Sequence, residues 1–211
     1  APVLLPAWND YDPMLHAFLA TGEEAREAVR TLPAGQVVAI DIETPSVSDP
    51  FTVKCVTAAW HIEGGMVQSV ILDPLRNSAD RFAVRSIMER AGELVLHNSS
   101  FDIPGLVATE LMTLEQIGKV SDTIVYARVA YPDTLMKKGL EPLSTRLLGM
   151  TELSGGMDRA FNAAGYKNRA AGFAGMDIDS PIYRFGAMAD TVCTLRLLPE
   201  IKSEAVNRLL N

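Results

Sequence analysis

The sequence has few cysteines, no long apolar run and a deficit of positive charge. Two cysteines among 211 residues exclude a disulfide framework and favour a reducing compartment such as the cytoplasm. No stretch approaches the roughly 18 consecutive apolar residues of a membrane-spanning helix, and no signal-peptide pattern opens the chain. The chain has 19 basic and 26 acidic residues. The resulting net charge of −7 argues against a polyanionic partner held by bulk charge.

The composition nevertheless predicts a folded protein, since 48% of the residues are hydrophobic and 21% are charged. No linker-like segment divides the chain, so we expect a single domain over residues 1–211. It comprises a lead-in over residues 1–35 and a core over residues 36–200. Residues 151–180 are rich in glycine and alanine and lack strand patterning, which predicts a mobile excursion between two helices.

Strand and helix patterns alternate in an order that indicates an α/β fold. Three predicted strands form a meander, and a fourth is followed mainly by helices, which is typical of a mixed sheet flanked by helices. The predicted strands cover residues 37–44, 53–62, 66–72 and 93–97. The predicted helices cover residues 25–32, 79–90, about 122–131, 140–149 and 181–198.

Two carboxylates lie two positions apart at the end of the first predicted strand of the core. Side chains alternate across a strand, so Asp41 and Glu43 project from the same face. Their mutual repulsion is costly unless a cation lies between them, and hard divalent ions prefer oxygen ligands. The alternative is a strand end that runs into solvent with both acids hydrated.

Two further acidic positions follow later elements. Asn98 and Asp102 come directly after the apolar strand at residues 93–97, where they could equally serve as a helix cap and a charge that complements the helix dipole. Asp190 lies beside an apolar helix face, which is unusual for a carboxylate unless it is paired or binds metal. A solvated helical aspartate is the alternative at that position.

The order of these three motifs along the chain is more informative than any one motif alone. Asp-x-Glu on a strand, Asn-x-x-Phe-Asp after a later strand, and an Asp near the end resemble the DEDD superfamily of 3′–5′ exonucleases. Specifically, they resemble the proofreading domain of family A DNA polymerases, including phage-type members. Residues 121–123 (Ser-Asp-Thr) and 140–148 are similar to two further family motifs, with Ser144 at a position where the family has alanine.

The resemblance implies a ribonuclease-H-like fold and hydrolysis of a DNA 3′ end, one nucleotide at a time, with two Mg²⁺ or Mn²⁺ ions. One ion would be held by Asp41, Glu43 and Asp190. The second would be shared by Asp41 and Asp102. Thr44, Asn98 and Phe101 would lie near the terminal nucleotide.

The chain departs from the family at one position. The family has a tyrosine four residues before the last aspartate, or a histidine five before it, that orients the attacking water. Gly186 and Phe185 stand there instead, and Tyr183 could reach the site only if its helix were distorted. Three side chains of the glycine-rich segment are further candidates to fold over the site: Tyr166, Lys167 and Arg169.

The resemblance also implies partners and a cellular location for the protein, and it leaves two alternative functions open. The expected partners are a single-stranded or frayed DNA 3′ end and a polymerase domain or subunit that delivers the strand during replication, in a bacterial or phage-infected cytoplasm. The chain would be an excised domain or a free-standing exonuclease. The alternatives are a 3′ exoribonuclease similar to ribonuclease D, and a non-catalytic exonuclease-like module that binds DNA or supports a polymerase.

Overall fold

The computed structural model describes residues 17–46, 48–133, 135–150 and 153–210. The first sixteen residues of the predicted lead-in and residues 151–152 of the predicted excursion lie outside these ranges. Among the described residues, no helix combines the length and the apolar character that crossing a membrane requires.

A six-stranded mixed sheet forms the centre of the protein, with the strand order β1-β4-β3-β2-β5-β6. β3 runs antiparallel to both of its neighbours, and the other strands are parallel to one another. The strands are β1 (Ala17–Thr21), β2 (Val37–Glu43), β3 (Cys55–His61), β4 (Val67–Leu72), β5 (Glu93–Leu96) and β6 (Val120–Asp122). The carboxyl ends of β2, β4 and β5 therefore lie at one edge of the sheet.

Eight helices of the described residues cover the two faces of the sheet. The helices are α1 (Gly22–Arg30), α2 (Ser78–Arg90), α3 (Ser99–Ala108), α4 (Thr123–Ala130), α5 (Leu140–Leu148), α6 (Leu153–Ala163), α7 (Arg169–Gly175) and α8 (Pro181–Leu210). One buried apolar cluster joins the sheet to α1, α2 and α3, and the other joins it to α4, α5, α6 and α8. This architecture is the ribonuclease-H-like α/β fold that the sequence predicted.

The side chains of β2 alternate between these two clusters. Val38, Ile40 and Ile42 belong to the cluster beneath α1 to α3. Ala39 belongs to the opposite cluster, which contains most of α8. The remaining odd-numbered side chains, Asp41 and Glu43, therefore face α8, as the strand periodicity predicted.

The structure differs from the sequence-based boundaries in three places. Residues 17–21 of the predicted lead-in form β1, which pairs in parallel with β4 some 50 positions later, so no local pattern marks it. The predicted excursion contains α6 and α7, and both pack into the fold. α8 was expected to end at residue 198 but continues through Pro199, because Ile201 and Ala205 remain buried beyond it.

Candidate active site

Three carboxylates from β2 and α8 converge at the carboxyl end of β2. One oxygen from each of Asp41, Glu43 and Asp190 lies within 4.8 Å of the others, and all three side chains are partly buried. α8 packs directly on the sheet next to β2, where the hydroxyl of Thr57 on β3 donates to the buried Ala187 carbonyl at 3.3 Å. The sheet and α8 thus bring together acids that lie about 150 positions apart in the sequence.

Asp102 lies next to this cluster on α3 and is 2% exposed. Its Oδ1 accepts a hydrogen bond at 3.0 Å from the backbone N–H of Ile42, the residue between Asp41 and Glu43. β5 pairs with β2 only as far as Ala39, so this N–H lies beyond the ladder and the carboxylate satisfies it. Asp102 therefore connects α3 to the strand that carries the other acids.

Burial raises the pKa values of all four carboxylates, and repulsion by the other acids of the site adds to this at Asp41 and Glu43. Burial, followed by the charges of its neighbours, raises the pKa of Asp41 well above its usual range. Burial and the charges of Asp190 and Asp102 raise the pKa of Glu43 to about 8. Burial also raises the pKa of Asp102 to about 7 and that of Asp190 to about 6. Four acids placed together in this way favour an added cation.

The residues fit a divalent metal ion. Carboxylate oxygens are the ligands that Mg²⁺ and Mn²⁺ prefer, and three of them lie close enough to share one ion. A bound cation would also offset the repulsion that raises the pKa values of Asp41 and Glu43. The donor set at the end of β2 is therefore suited to a hard divalent ion.

The turn that holds Asn98 is organised by a carboxylate at the end of β6. Asp122 accepts hydrogen bonds from the backbone N–H groups of Asn98 and Ser99 at 3.0 and 2.8 Å, and from the Ser99 hydroxyl at 2.8 Å. It also caps α4 through the Ile124 N–H at 2.9 Å. Asn98, with a left-handed φ of 71°, is exposed at the start of α3.

Comparisons with known proteins identify the family of this site. The model of the 3′–5′ exonuclease domain of family A DNA polymerases matches residues 17–178, which cover most of the chain. The chain belongs to this 3′–5′ exonuclease family. Its fold is also similar to the crystal structure of the Nibbler EXO domain from Aedes aegypti, with a TM-score of 0.59 and 14% identity over 91% of this chain and 89% of that one. The comparison with curated proteins gives no match.

The side chains expected near the terminal nucleotide of the exonuclease take different positions. The Thr44 hydroxyl donates to the Ser46 carbonyl at 2.8 Å, and Thr44 is 8% exposed. Phe101 is partly buried and packs against the cluster beneath α1 to α3. Asn98 has an exposed side chain whose Oδ1 accepts a hydrogen bond from the Ser100 hydroxyl at 3.1 Å. A role for any of them in substrate binding stays a prediction.

Tyr183 of the exonuclease is fully buried beneath α7. Its hydroxyl lies 3.7 Å from the Cys55 sulfur, and its ring packs edge-on against Phe173 with the centroids 5.3 Å apart. Burial and nearby acidic groups raise the pKa of its phenol, so it remains protonated. Tyr183 is thus close to Asp41 and Glu43 but directed at Cys55, and its proposed catalytic role stays a prediction.

In this exonuclease, neighbouring side chains occupy the space where the family tyrosine would lie. A Cβ atom at Gly186 would lie 2.6 Å from the Met157 Cε and 2.8 Å from the Phe173 Cζ. These side chains belong to α6 and α7, which come from the segment predicted to be an excursion. The space for a tyrosine side chain at position 186 is therefore filled by the α6–α7 hairpin.

The three candidates from the glycine-rich segment do not behave alike. Tyr166 packs edge-on against Phe161, and Lys167 is exposed. Arg169 lies at the start of α7, where its Nη2 donates to Glu141 of α5 at 2.9 Å. Arg169 also lines a cavity of about 350 Å³ together with Glu43 and Asp190. Of these three side chains, only Arg169 lines the cavity that Glu43 and Asp190 also line.

Lys54 makes a set of contacts near the site that no sequence pattern marked. Its ammonium donates to the carbonyls of Phe173, Ala174 and Met176 at 2.8, 3.4 and 2.6 Å, at the carboxyl end of α7. Its backbone N–H donates to the Glu43 carbonyl at 2.7 Å. These contacts link α7 to the strand that carries the acids. A lysine between two strands gives no local signal of such a long-range contact.

Proposed function

We propose that the chain is a divalent-metal-dependent 3′–5′ exonuclease that removes nucleotides from DNA 3′ ends. The observation that carries the proposal is the convergence of Asp41, Glu43 and Asp190 within 4.8 Å, with Asp102 directly beside them. The family match supports the reaction class, and its relation to DNA polymerases favours DNA as the substrate.

The four acids have distinct tasks in this proposal. Asp41, Glu43 and Asp190 hold a divalent ion, and Asp102 with Asp41 holds a second. When bound, such ions activate a water molecule and neutralise charge on the departing 3′ oxygen. The protein supplies fixed oxygen ligands on rigid elements and a partly closed cavity that positions the terminal nucleotide.

The test is degradation of 5′-labelled single strands of DNA and of RNA with the same sequence, with Mg²⁺, with Mn²⁺ and with a chelator. We expect a ladder of DNA products shortened from the 3′ end, which disappears with the chelator. Asp190→Asn and Glu43→Gln should lower the rate roughly 100- to 1000-fold, the effect of losing one transition-state contact. Glu89→Gln, the same change at an exposed position on α2, should retain activity.

Preferential degradation of RNA would contradict the proposal and indicate that the chain is a 3′ exoribonuclease. Inactivity of the parent protein with both metals and both substrates would favour a non-catalytic module. That second candidate is supported by Gly186, where the residue that orients water in the family is absent and Met157 and Phe173 fill the space. Binding of a DNA strand without turnover would then be the remaining function.

We also propose that a polymerase domain or subunit delivers the strand. The net charge of −7 leaves little attraction for a phosphate backbone beyond the site itself. An inactive Asp190→Asn variant should therefore bind a single strand with a Kd weaker than about 1 μM at physiological salt. Tight binding by the isolated chain would contradict this proposal.

A further inference from the structure

The cavity beside the proposed metal-ligand acids is lined by charges of both signs. Glu43, Glu141 and Asp190 line it, and α7 contributes Arg169, Ala170 and Phe173. Of the described residues that line this cavity, Arg169 is the one cation. A phosphate entering the cavity would therefore find one guanidinium among its lining side chains.

α7 is held in place beside the acids by contacts at its carboxyl end and in its middle. At its carboxyl end, Lys54 bonds to three carbonyls and connects them to Glu43. In the middle, Phe173 packs against Phe161 and Tyr183, with ring centroids 5.0 and 5.3 Å away. Arg169 at the amino end is therefore presented to the cavity by an anchored helix.

The charge of Arg169 is engaged by acids on two elements. Its guanidinium pairs with Glu141 at 2.9 Å, and about 38% of its side chain remains accessible. Burial acts to lower the pKa of Arg169, but the hydrogen bond that it donates to Glu141 and the charges of Glu141 and Asp190 outweigh burial, so the pKa is raised. The guanidinium thus lies close enough to Asp190 to interact with it, and its fork can bind two phosphate oxygens at once.

The packing at Gly186 leaves this side of the cavity without the family's tyrosine. Met157 and Phe173 occupy that space, and both come from the same hairpin that carries Arg169. Arg169, on the same hairpin, lines the cavity and carries a permanent positive charge. A guanidinium cannot accept a proton from water, so its chemistry here is that of an anion contact.

We propose that Arg169 binds the phosphate group of the nucleotide that occupies the cavity, exchanging its ion pair with Glu141 for the phosphate oxygens. The inference rests on the proposed function for the identity of this group as the terminal phosphodiester. It assigns the substrate contact in this exonuclease to a residue on α7. Glu141 is then the partner that holds the guanidinium when no phosphate is present.

The test is equilibrium binding of thymidine 5′-monophosphate and of thymidine in the presence of Mn²⁺. The parent protein should bind the monophosphate more tightly, and Arg169→Ala should reduce that preference about 10-fold, the effect of losing a charged hydrogen bond. Glu141→Gln breaks the same ion pair but keeps the guanidinium, so its preference should be at least that of the parent. Arg85→Ala, which removes another Arg–Glu pair far from the cavity, should leave the preference unchanged.

The inference would be overturned by a parent that binds both ligands equally, or by an Arg169→Ala variant with an unchanged preference. Equal loss in Arg169→Ala and Glu141→Gln would also overturn it, because the ion pair itself would then be responsible. Thermal unfolding of each variant verifies that it is folded. The binding measurement does not require turnover. If the protein shows no nuclease activity but its preference for the monophosphate depends on Arg169, only the proposed function is contradicted.

Discussion

Asp102 combines two tasks in one side chain: it accepts a backbone hydrogen bond and contributes a fourth negative charge to the site. The Ile42 N–H that it satisfies lies in the strand between two other acids. An unsatisfied buried N–H is costly, whereas removal of a buried like charge is favourable. The two tasks therefore affect stability in opposite directions.

Substitution separates these tasks. Asp102→Asn keeps an oxygen that can accept from Ile42, so the metal-free protein should be as stable as the parent or more so, while nuclease activity falls. Asp102→Ala loses both, and its free energy of unfolding should decrease by about 1–3 kcal/mol. Chemical denaturation and the nuclease assay on both variants measure the difference. Equal stability of the two variants would show that the hydrogen bond to Ile42 is unimportant.

At Gly186, where the family has a tyrosine, neighbouring side chains leave no room for one. Gly186→Tyr should not increase turnover and should lower the free energy of unfolding by about 1–3 kcal/mol, because its side chain must displace Met157 and Phe173. Adding Met157→Ala should recover part of the loss, since the two side chains compete for one space. A double-mutant cycle by denaturant unfolding measures this coupling. Strict additivity would be inconsistent with the proposed competition.

At the scale of elements, the α6–α7 hairpin differs most from its sequence-based description. Its glycines predicted mobility, but Gly172 lies against the ring of Phe161, where a Cβ atom would come within 2.1 Å. This glycine therefore permits close packing of α7 on α6. A glycine selected for close approach and one selected for a flexible loop look alike in a sequence, so only the packing distinguishes them.

Lys54 should determine the local stability of α7. Lys54→Met removes three hydrogen bonds to the end of that helix, so we expect faster amide hydrogen exchange over residues 170–176 and lower nuclease activity. Lys119→Met is a matched control, because Lys119 makes the same kind of contact with carbonyls at the end of α2. In that variant, exchange should increase near α2 and remain unchanged in α7. Unchanged exchange in α7 of Lys54→Met would contradict the anchoring role.

At the scale of the whole molecule, the acidic cluster makes stability depend on pH and metal. The pKa values of Glu43, Asp102 and Asp190 are about 8, 7 and 6 in the folded protein, above the values near 4 of unfolded carboxyls. Between about pH 4 and pH 8 the folded state binds more protons, so the stability of the metal-free protein falls as pH rises. A divalent ion needs deprotonated ligands and reverses this effect.

We therefore expect the increase in Tm with saturating Mn²⁺ to be larger at pH 8 than at pH 6. From pH 6 to pH 8, the Tm of the metal-free parent should also decrease more than that of metal-free Glu43→Gln, because the variant lacks one of the carboxyl groups with a raised pKa. Calorimetric melts at both pH values, with Mn²⁺ and with a chelator, measure both quantities. A metal effect that is the same at both pH values would argue against binding at this cluster.

The apolar runs of β2 and β5, the two-residue spacing of Asp41 and Glu43, and the order of the acidic motifs were sufficient to predict the fold and the family. Strand alternation is a local property of the backbone, so it can be deduced without knowing what packs above it. The tertiary structure alone decided the strand pairing of β1, the packing of α7 and the meeting of Arg169 and Lys54 with the acids. These contacts join side chains and strands of separate elements, and their energy depends on shape and charge complementarity between those elements, which no local pattern encodes.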